Sequence, residues 1–209
     1  MPTKKAHNQI KIILVGEGFT GKTSIIHQAM INQFKEDVDV TSVPTQFSYA
    51  VQTESNEKVI FDIWDTAGQE KFRTVNMLFF KNAQVALLVY DITNRKSFEE
   101  LKNFWFNHVK EHANKNVLIG IIGNKSDLFV DEQVTESEAK LFSDSIGAFL
   151  LLVSAKTGLG IKEIFKLAAE RVIETNPNEI GSTSDVHGKI KLKPESKVTS
   201  KKKKKKFCS

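Results

Sequence analysis

The chain has 209 residues, enough for one well-buried domain and too few for two comfortable ones. Its formal charge is +5, but residues 177–209 carry ten lysines against Glu179, Asp185 and Glu195, about +7, which leaves residues 1–176 at about −2. A folded domain with a basic nucleic-acid face is therefore not expected, and the single cysteine, Cys208, excludes internal disulfides.

The first residues, Met1-Pro2-Thr3-Lys4-Lys5, have no apolar h-region and no glycine at position 2, so neither a signal peptide nor N-myristoylation is expected. Residues 10–15 read as a buried strand, followed by a glycine turn and a helix over 21–33. Two strand candidates, 45–53 and 58–64, are joined by the turn-like Glu54-Ser55-Asn56-Glu57 and predict a hairpin. Apolar runs at 83–90 (broken only by Gln84), 117–122 and 148–153 have the pattern of strands covered on both faces, and all are far too short to span a membrane. Helices are expected over 94–112, 135–146 and 160–175. The second opens Thr135-x-x-Glu138, a capping-box pattern, and the third sets Ile161, Ile164, Phe165 and Ala168 at helical spacing.

This alternation predicts an α/β, doubly wound, mostly parallel six-stranded sheet with one antiparallel strand and helices on both faces. No internal repeat is visible. From Pro177 onward Asn, Gly, Ser, Thr, Pro and Lys dominate, so the expected division is a folded domain over 1–176 and a disordered tail over 177–209.

Gly16-Glu17-Gly18-Phe19-Thr20-Gly21-Lys22-Thr23 lies directly after a strand and directly before a helix, the context of a P-loop. Its glycines let backbone N–H groups turn toward phosphate oxygens, the helix N-terminus adds positive potential, Lys22 supplies a cation and Thr23 an oxygen for Mg²⁺. Ser24 follows in the same binding segment. A chance glycine turn would not be so placed, yet the loop alone specifies only a nucleoside triphosphate.

The base is specified by Asn124-Lys125-Ser126-Asp127, which follows the strand over 117–122. A carboxylate at Asp127 can accept from N1–H and the 2-amino group of guanine, whereas adenine offers no such donor pair. Ser154-Ala155-Lys156 follows the last strand and can bring a backbone N–H to the guanine O6. Between the P-loop and these two motifs, Asp65-Thr66-Ala67-Gly68-Gln69-Glu70 follows the strand over 58–64. Asp65 is placed to hold Mg²⁺ through water, Gly68 to give its N–H to a γ-phosphate oxygen, and Gln69 to orient the attacking water.

Together the four motifs resemble the Ras-superfamily small GTPases over about residues 8–176. Residues 63–74, 79–83 (Phe79-Phe80-Lys81-Asn82-Ala83) and 88–93 are similar to Rab segments. Rho proteins carry an insert helix between the Asn-Lys-x-Asp and Ser-Ala-Lys motifs, for which the 30 positions from Asn124 to Ser154 leave no room; an Arf type lacks its N-terminal glycine here. The resemblance implies a P-loop GTPase that cycles between GTP and GDP with Mg²⁺, slow unaided, and that regulates vesicle and protein transport.

Phe34, eleven residues after Thr23, matches the family aromatic that packs on the guanine edge, and Gly18 keeps the small position through which a GAP arginine would approach. Phe19 is a bulky residue near the γ-phosphate, placed to shield the site or to contact a partner. The first switch segment reads Thr41-Ser42-Val43-Pro44-Thr45-Gln46-Phe47. Counting back from Phe47 makes Ser42 the Mg²⁺ ligand; counting forward from Thr23 favours Thr41; Thr45 is a third hydroxyl nearby.

The implied partners are an exchange factor, a GAP, a GDI or escort-type chaperone, and effectors that read the switches and the aromatics Phe47, Trp64 and Phe79. Plain core aromatics are the competing reading of those three. A monomer is expected, with no nucleic-acid partner. The tail ends in six lysines, Phe207, Cys208 and Ser209, not the paired cysteines usual in Rabs or a Cys-a-a-X box. Prenylation of Cys208 beside that basic run would supply two membrane signals at the cytoplasmic face of an intracellular membrane; an unmodified solubilising tail or a nuclear signal are the alternatives.

Overall fold

The computed structural model describes residues 8–34, 45–66 and 79–175. In chain order the elements are β1 (Asn8–Val15), α1 (Lys22–Ile31), β2 (Thr45–Gln52), β3 (Lys58–Asp65), β4 (Val85–Asp91), α2 (Arg95–Glu100), a π-helical turn (Leu101–Trp105), α3 (Phe106–His112), β5 (Leu118–Asn124), a 3₁₀ segment (Ser126–Asp131), α4 (Glu136–Ser145), β6 (Phe149–Leu152) and α5 (Ile161–Thr175). The six strands form one sheet in the order β2-β3-β1-β4-β5-β6. Only β2 runs antiparallel, paired with β3 as the predicted hairpin.

Each sheet face carries its own core. Ile10, Ile12, Leu14, Leu87 and Val89 point one way and pack with Ile25, Ile26, Ile164, Phe165 and Ala168 of α1 and α5. Ile13, Val15, Ala86, Leu88 and Tyr90 point the other way and pack with Phe98, Leu101, Trp105, Val109 and Ala139. Alternation along each strand is what divides them. Every residue of β4 is buried, which is why its sequence shows no polar alternation until Asp91.

Two end devices matter for the site. Thr135 caps α4 by accepting from the Glu138 N–H, but Glu138 does not complete the box; its carboxylate forms a bidentate pair with Arg95 of α2. The π turn sits mid-helix, where the extra residue per turn rotates the rest of the helix and seats Trp105, 1% exposed, beneath the loop after β1.

The chain leaves β1 toward β3 on one side and returns to β4 on the other, so the strand order reverses between β1 and β4. Ligands of open α/β sheets bind at such a reversal, outside the carboxyl ends of the strands. All the motif residues that the structure describes lie at that edge.

Candidate functional site

The loop between β1 and α1 is closed on itself. Lys22 Nζ donates to the carbonyls of Gly16 at 2.9 Å and Glu17 at 2.7 Å, and Thr20 Oγ1 donates to Glu17 O at 2.9 Å. Gly16 has φ +146°, and a β-carbon there would lie 2.2 Å from the Val89 carbonyl oxygen, so the chain crosses β4 only as glycine. Gly21, φ +90°, is the N-cap of α1 and has no side chain to offer the first helical N–H groups. No acidic residue occupies that first turn, so the positive end of α1 faces the loop with nothing negative of its own.

Lys22 is buried, and loss of hydration lowers its ammonium from an ordinary value of 10.5 to about 8, against the opposing pull of Asp65 and Glu17. A buried cation ringed by carbonyls suits a polyanion. Beside it Thr23 Oγ1 donates to Asp65 Oδ2 at 2.6 Å, so a hydroxyl and a carboxylate from separate motifs meet where the P-loop touches the end of β3. Thr66 Oγ1 fixes this junction by donating to Leu14 O at 2.6 Å.

At the other end, Asn124 is the last residue of β5 and 1% exposed. Its Nδ2 donates to Thr20 O at 2.8 Å, and its Oδ1 accepts from the Ala155 N–H at 3.1 Å. One amide thus braces the P-loop against the Ser154–Ala155–Lys156 loop. The Ala155 N–H, which motif position offers to a base O6, donates to Asn124 here.

Asp127 Oδ1 accepts from Ser154 Oγ at 2.6 Å, and Ser154 Oγ in turn accepts from the Thr157 N–H at 3.0 Å. Asp127 Oδ2 has no hydrogen-bond partner among the described residues. Lys125, at φ +67°, turns back to pair with Asp91 Oδ2 at 2.5 Å.

A cleft of about 360 Å³, within the range of small-molecule sites, runs between these ends. Phe19, Gly21 and Ser24 line it at the P-loop, Phe34 at the end of the α1 segment, and Asn124, Lys125, Asp127, Leu128, Ala155 and Lys156 along the β5 and β6 loops. Of the expected residues, the cleft is lined by Phe19, Gly21, Ser24, Phe34, Asn124, Lys125, Asp127, Ala155 and Lys156, whereas Gly16, Glu17, Thr20, Lys22, Thr23, Asp65 and Ser154 are not among its lining. Gly18 belongs to the same loop. Ser42 with its alternative Thr41, Gly68, Gln69 and Cys208 lie outside the described residues.

Three further residues take part that motif reading did not single out. Asp91 anchors Lys125 and also accepts from the N–H and hydroxyl of Thr93. Its sequence signals are its place in the Rab-like segment 88–93 and an acid closing an apolar run. Trp105 Nε1 donates to Glu17 Oε1 at 3.0 Å, so the Glu17 side chain turns to the helix while its carbonyl serves Lys22. Thr66 had a place inside a motif but no assigned role.

The three aromatics are all half-buried and do not form one cluster; Phe47 and Trp64 pack against the cores on opposite sheet faces. Trp64 and Phe79 meet with ring centroids 5.1 Å apart, and Lys11 Nζ stands 5.1 Å over the Trp64 ring. Phe47 pairs with Ile63, one position off Trp64, and so faces the other side of the sheet, against His27.

A model of the Ras family matches residues 11–174. Among known proteins the chain is similar to Ras-related protein Rab-22A of Homo sapiens, 35% identical over 173 residues, 83% of this chain and 88% of that protein. It is 36% identical to Ras-related protein Rab-2B of Dictyostelium discoideum over 170 residues, 80% of this chain and 83% of the relative. Ras-related protein Rab-31 of Rattus norvegicus is 34% identical over 181 residues, 87% of this chain and 92% of its own length.

Proposed function

The chain belongs to the Ras family of small GTPases and to its Rab branch, and on that premise we propose that it is a Mg²⁺-dependent GTP/GDP switch that regulates membrane trafficking. One observation supports the nucleotide reading: a single cleft is lined both by Phe19, Gly21 and Ser24 of the P-loop segment and by Asp127. The polyphosphate meets Lys22, the loop N–H groups and the start of α1. The base meets Asp127, whose Oδ1 is already held by Ser154 and whose second oxygen faces a donor pair that only guanine presents.

Magnesium fits the donor set. A hydroxyl and a carboxylate lie together at Thr23 and Asp65, and Mg²⁺ in nucleotide sites takes one or two such oxygens and leaves the rest to phosphate and water. Among the described residues no group of three His, Cys, Asp or Glu could hold a metal alone, and this chemistry does not require one. Thr23, Asp65 and a first-switch hydroxyl, with Ser42 favoured over Thr41 or Thr45, would hold the ion, whose charge would offset that of the phosphates.

Gln69 orients the attacking water and Gly68 donates its N–H to the γ-phosphate. With so little covalent work for the protein, unaided turnover is slow and an external GAP arginine entering past Gly18 accelerates it. Hydrolysis releases the switch segments, which changes what exchange factors, GDI-type escorts and effectors can bind. The Trp64–Phe79 pair with Lys11 presents one aromatic contact to such effectors, and Phe47 a separate one across the sheet. The tail beyond residue 176, with 201–206 and a prenylated Cys208, attaches the domain to the cytoplasmic face of a membrane; no helix among the described residues is long and apolar enough to cross one.

The experiment is a competition titration of GDP, GTP and ATP. Wild type binds the guanine nucleotides selectively, and Asp127→Asn shifts preference to xanthosine diphosphate, whose 2-oxo group needs a donor. Equal affinity for ATP and GTP in the wild type would sink the reading. The rival, a module that holds GTP without cleaving it, is separated by single-turnover hydrolysis.

A further inference from the structure

We propose that the Phe19 ring packs against the sugar of the bound nucleotide and sets the rate at which that nucleotide leaves. The inference rests on the nucleotide-switch reading and deepens it. Phe19 has φ +64°, in the left-handed region where a β-carbon crowds the following carbonyl and glycine is the ordinary occupant.

The loop itself enforces that backbone. The bonds from Thr20 Oγ1 and Lys22 Nζ to the Glu17 carbonyl close the turn around Phe19, whatever its side chain. Glycine would satisfy the turn without strain. The ring gives nothing back in the free protein either, because it is 76% exposed. A strained residue with an uncovered aromatic ring in a ligand cleft gains when the ligand covers it.

The cleft indicates which part of the ligand does so. Phe19 lines it together with Phe34, with Gly21 and Ser24 of the phosphate-binding segment and with Asp127 of the base-reading loop, while Lys22 and Thr23 do not, which turns the ring toward the nucleoside and not toward the γ-phosphate expected from its motif position. The phosphates are claimed by Lys22 and the loop amides, and the base edge by Asp127. The uncharged sugar is the part left for a ring at this position, and it offers C–H surface.

The test is release of radiolabelled GDP from loaded full-length protein into excess unlabelled GDP with Mg²⁺ present. Burying about half of one aromatic ring corresponds to roughly tenfold in a dissociation constant, expressed here in the off-rate. Phe19→Ala and Phe19→Gly should both release GDP about tenfold faster than wild type, and Phe19→Tyr, which keeps the ring, at the wild-type rate. Alanine keeps the strained turn and loses the ring, so acceleration in glycine alone would assign the effect to the backbone and overturn the proposal. Wild-type release from Phe19→Ala would overturn it as well.

A second measurement needs no variant: nuclear Overhauser contacts between the Phe19 ring protons and the ribose protons of GDP in the wild-type complex. Their absence refutes the packing even where a variant fails to fold. Failure of the underlying reading looks different, since wild type would then not hold GDP in the presence of ATP at all.

Discussion

Replacing Asn124 by alanine removes a single amide and opens two loops. Its Nδ2 serves the Thr20 carbonyl at 2.8 Å and its Oδ1 serves the Ala155 N–H at 3.1 Å, in a side chain 1% exposed. Alanine reaches neither group, and each buried polar group left without its partner costs about 1–3 kcal/mol. The two together give a loss of about 2–6 kcal/mol, and at about 2–4 °C per kcal/mol for a chain of this size the melting temperature should fall by about 4–24 °C.

Bound nucleotide also stabilises by mass action, so a weaker ligand would lower the melting temperature without any brace. Wild type and variant are therefore melted at the same multiple of each one's own GDP dissociation constant. Hydrogen exchange supplies the local check: the Ala155 amide should lose its protection in Asn124→Ala, while amides in β4, which is buried throughout, keep theirs. Equal melting temperatures at matched saturation, with Ala155 still protected, would make Asn124 a ligand contact only and refute the brace.

Other outcomes depend on single groups. The free protein holds Lys22 at about pKa 8 because burial favours the neutral amine, and bound phosphate favours the charged form, so GDP binding should take up about half a proton at pH 8 and about a tenth at pH 7. Calorimetry in buffers of different ionisation enthalpy reads that uptake, and equal values at the two pH values would remove Lys22 from the phosphate site. Gln69→Leu should leave GTP affinity unchanged and suppress single-turnover hydrolysis at least tenfold, with or without a GAP; an unchanged rate would strip Gln69 of the proposed role. Cys208→Ser should move the full-length protein from membranes to the cytosol with nucleotide affinity intact, read by fractionation. Intact mass spectrometry that finds Cys208 unmodified, together with membrane association of the serine variant, would assign attachment to a partner protein.

The sheet was legible because its signals are local. The run 85–90 is continuous and apolar, and β4 is buried at every position. The strands nevertheless extend past their apolar runs, to Asp91 in β4 and Asn124 in β5. These two polar residues lie side by side in the ladder and find their partners across loops, which hydropathy alone does not reveal. The helix over 94–112 was likewise legible as a helix, but its π turn was not. Phe98, Leu101, Trp105 and Val109 fit an ordinary helical stripe, and a single extra residue in one turn leaves no mark in composition. Phe47 and Trp64, both half-buried, show the same limit. Motif position groups them, and the hairpin register sets them on opposite faces.

What escaped the sequence was mainly the ties between loops, and these decide how the site behaves. Asn124 joins the P-loop to the loop after β6, Lys125 joins the loop after β5 to β4 through Asp91, and Trp105 joins the P-loop to the helix after β4 through Glu17. Each spans one βα unit to another, with sequence separations of 104 residues for Asn124 to Thr20 and 88 for Trp105 to Glu17. A loop fixed by one or two such bonds has little stability of its own, since ordering each residue costs about 1–2 kcal/mol and each bond returns about 1. The nucleotide supplies the remainder by binding across the loops at once, so ligand affinity and loop order are one free energy divided between the ligand and these few side chains. Loss of a tie such as Trp105 Nε1–Glu17 therefore reaches the nucleotide before it reaches the sheet, whose two cores remain packed on either face.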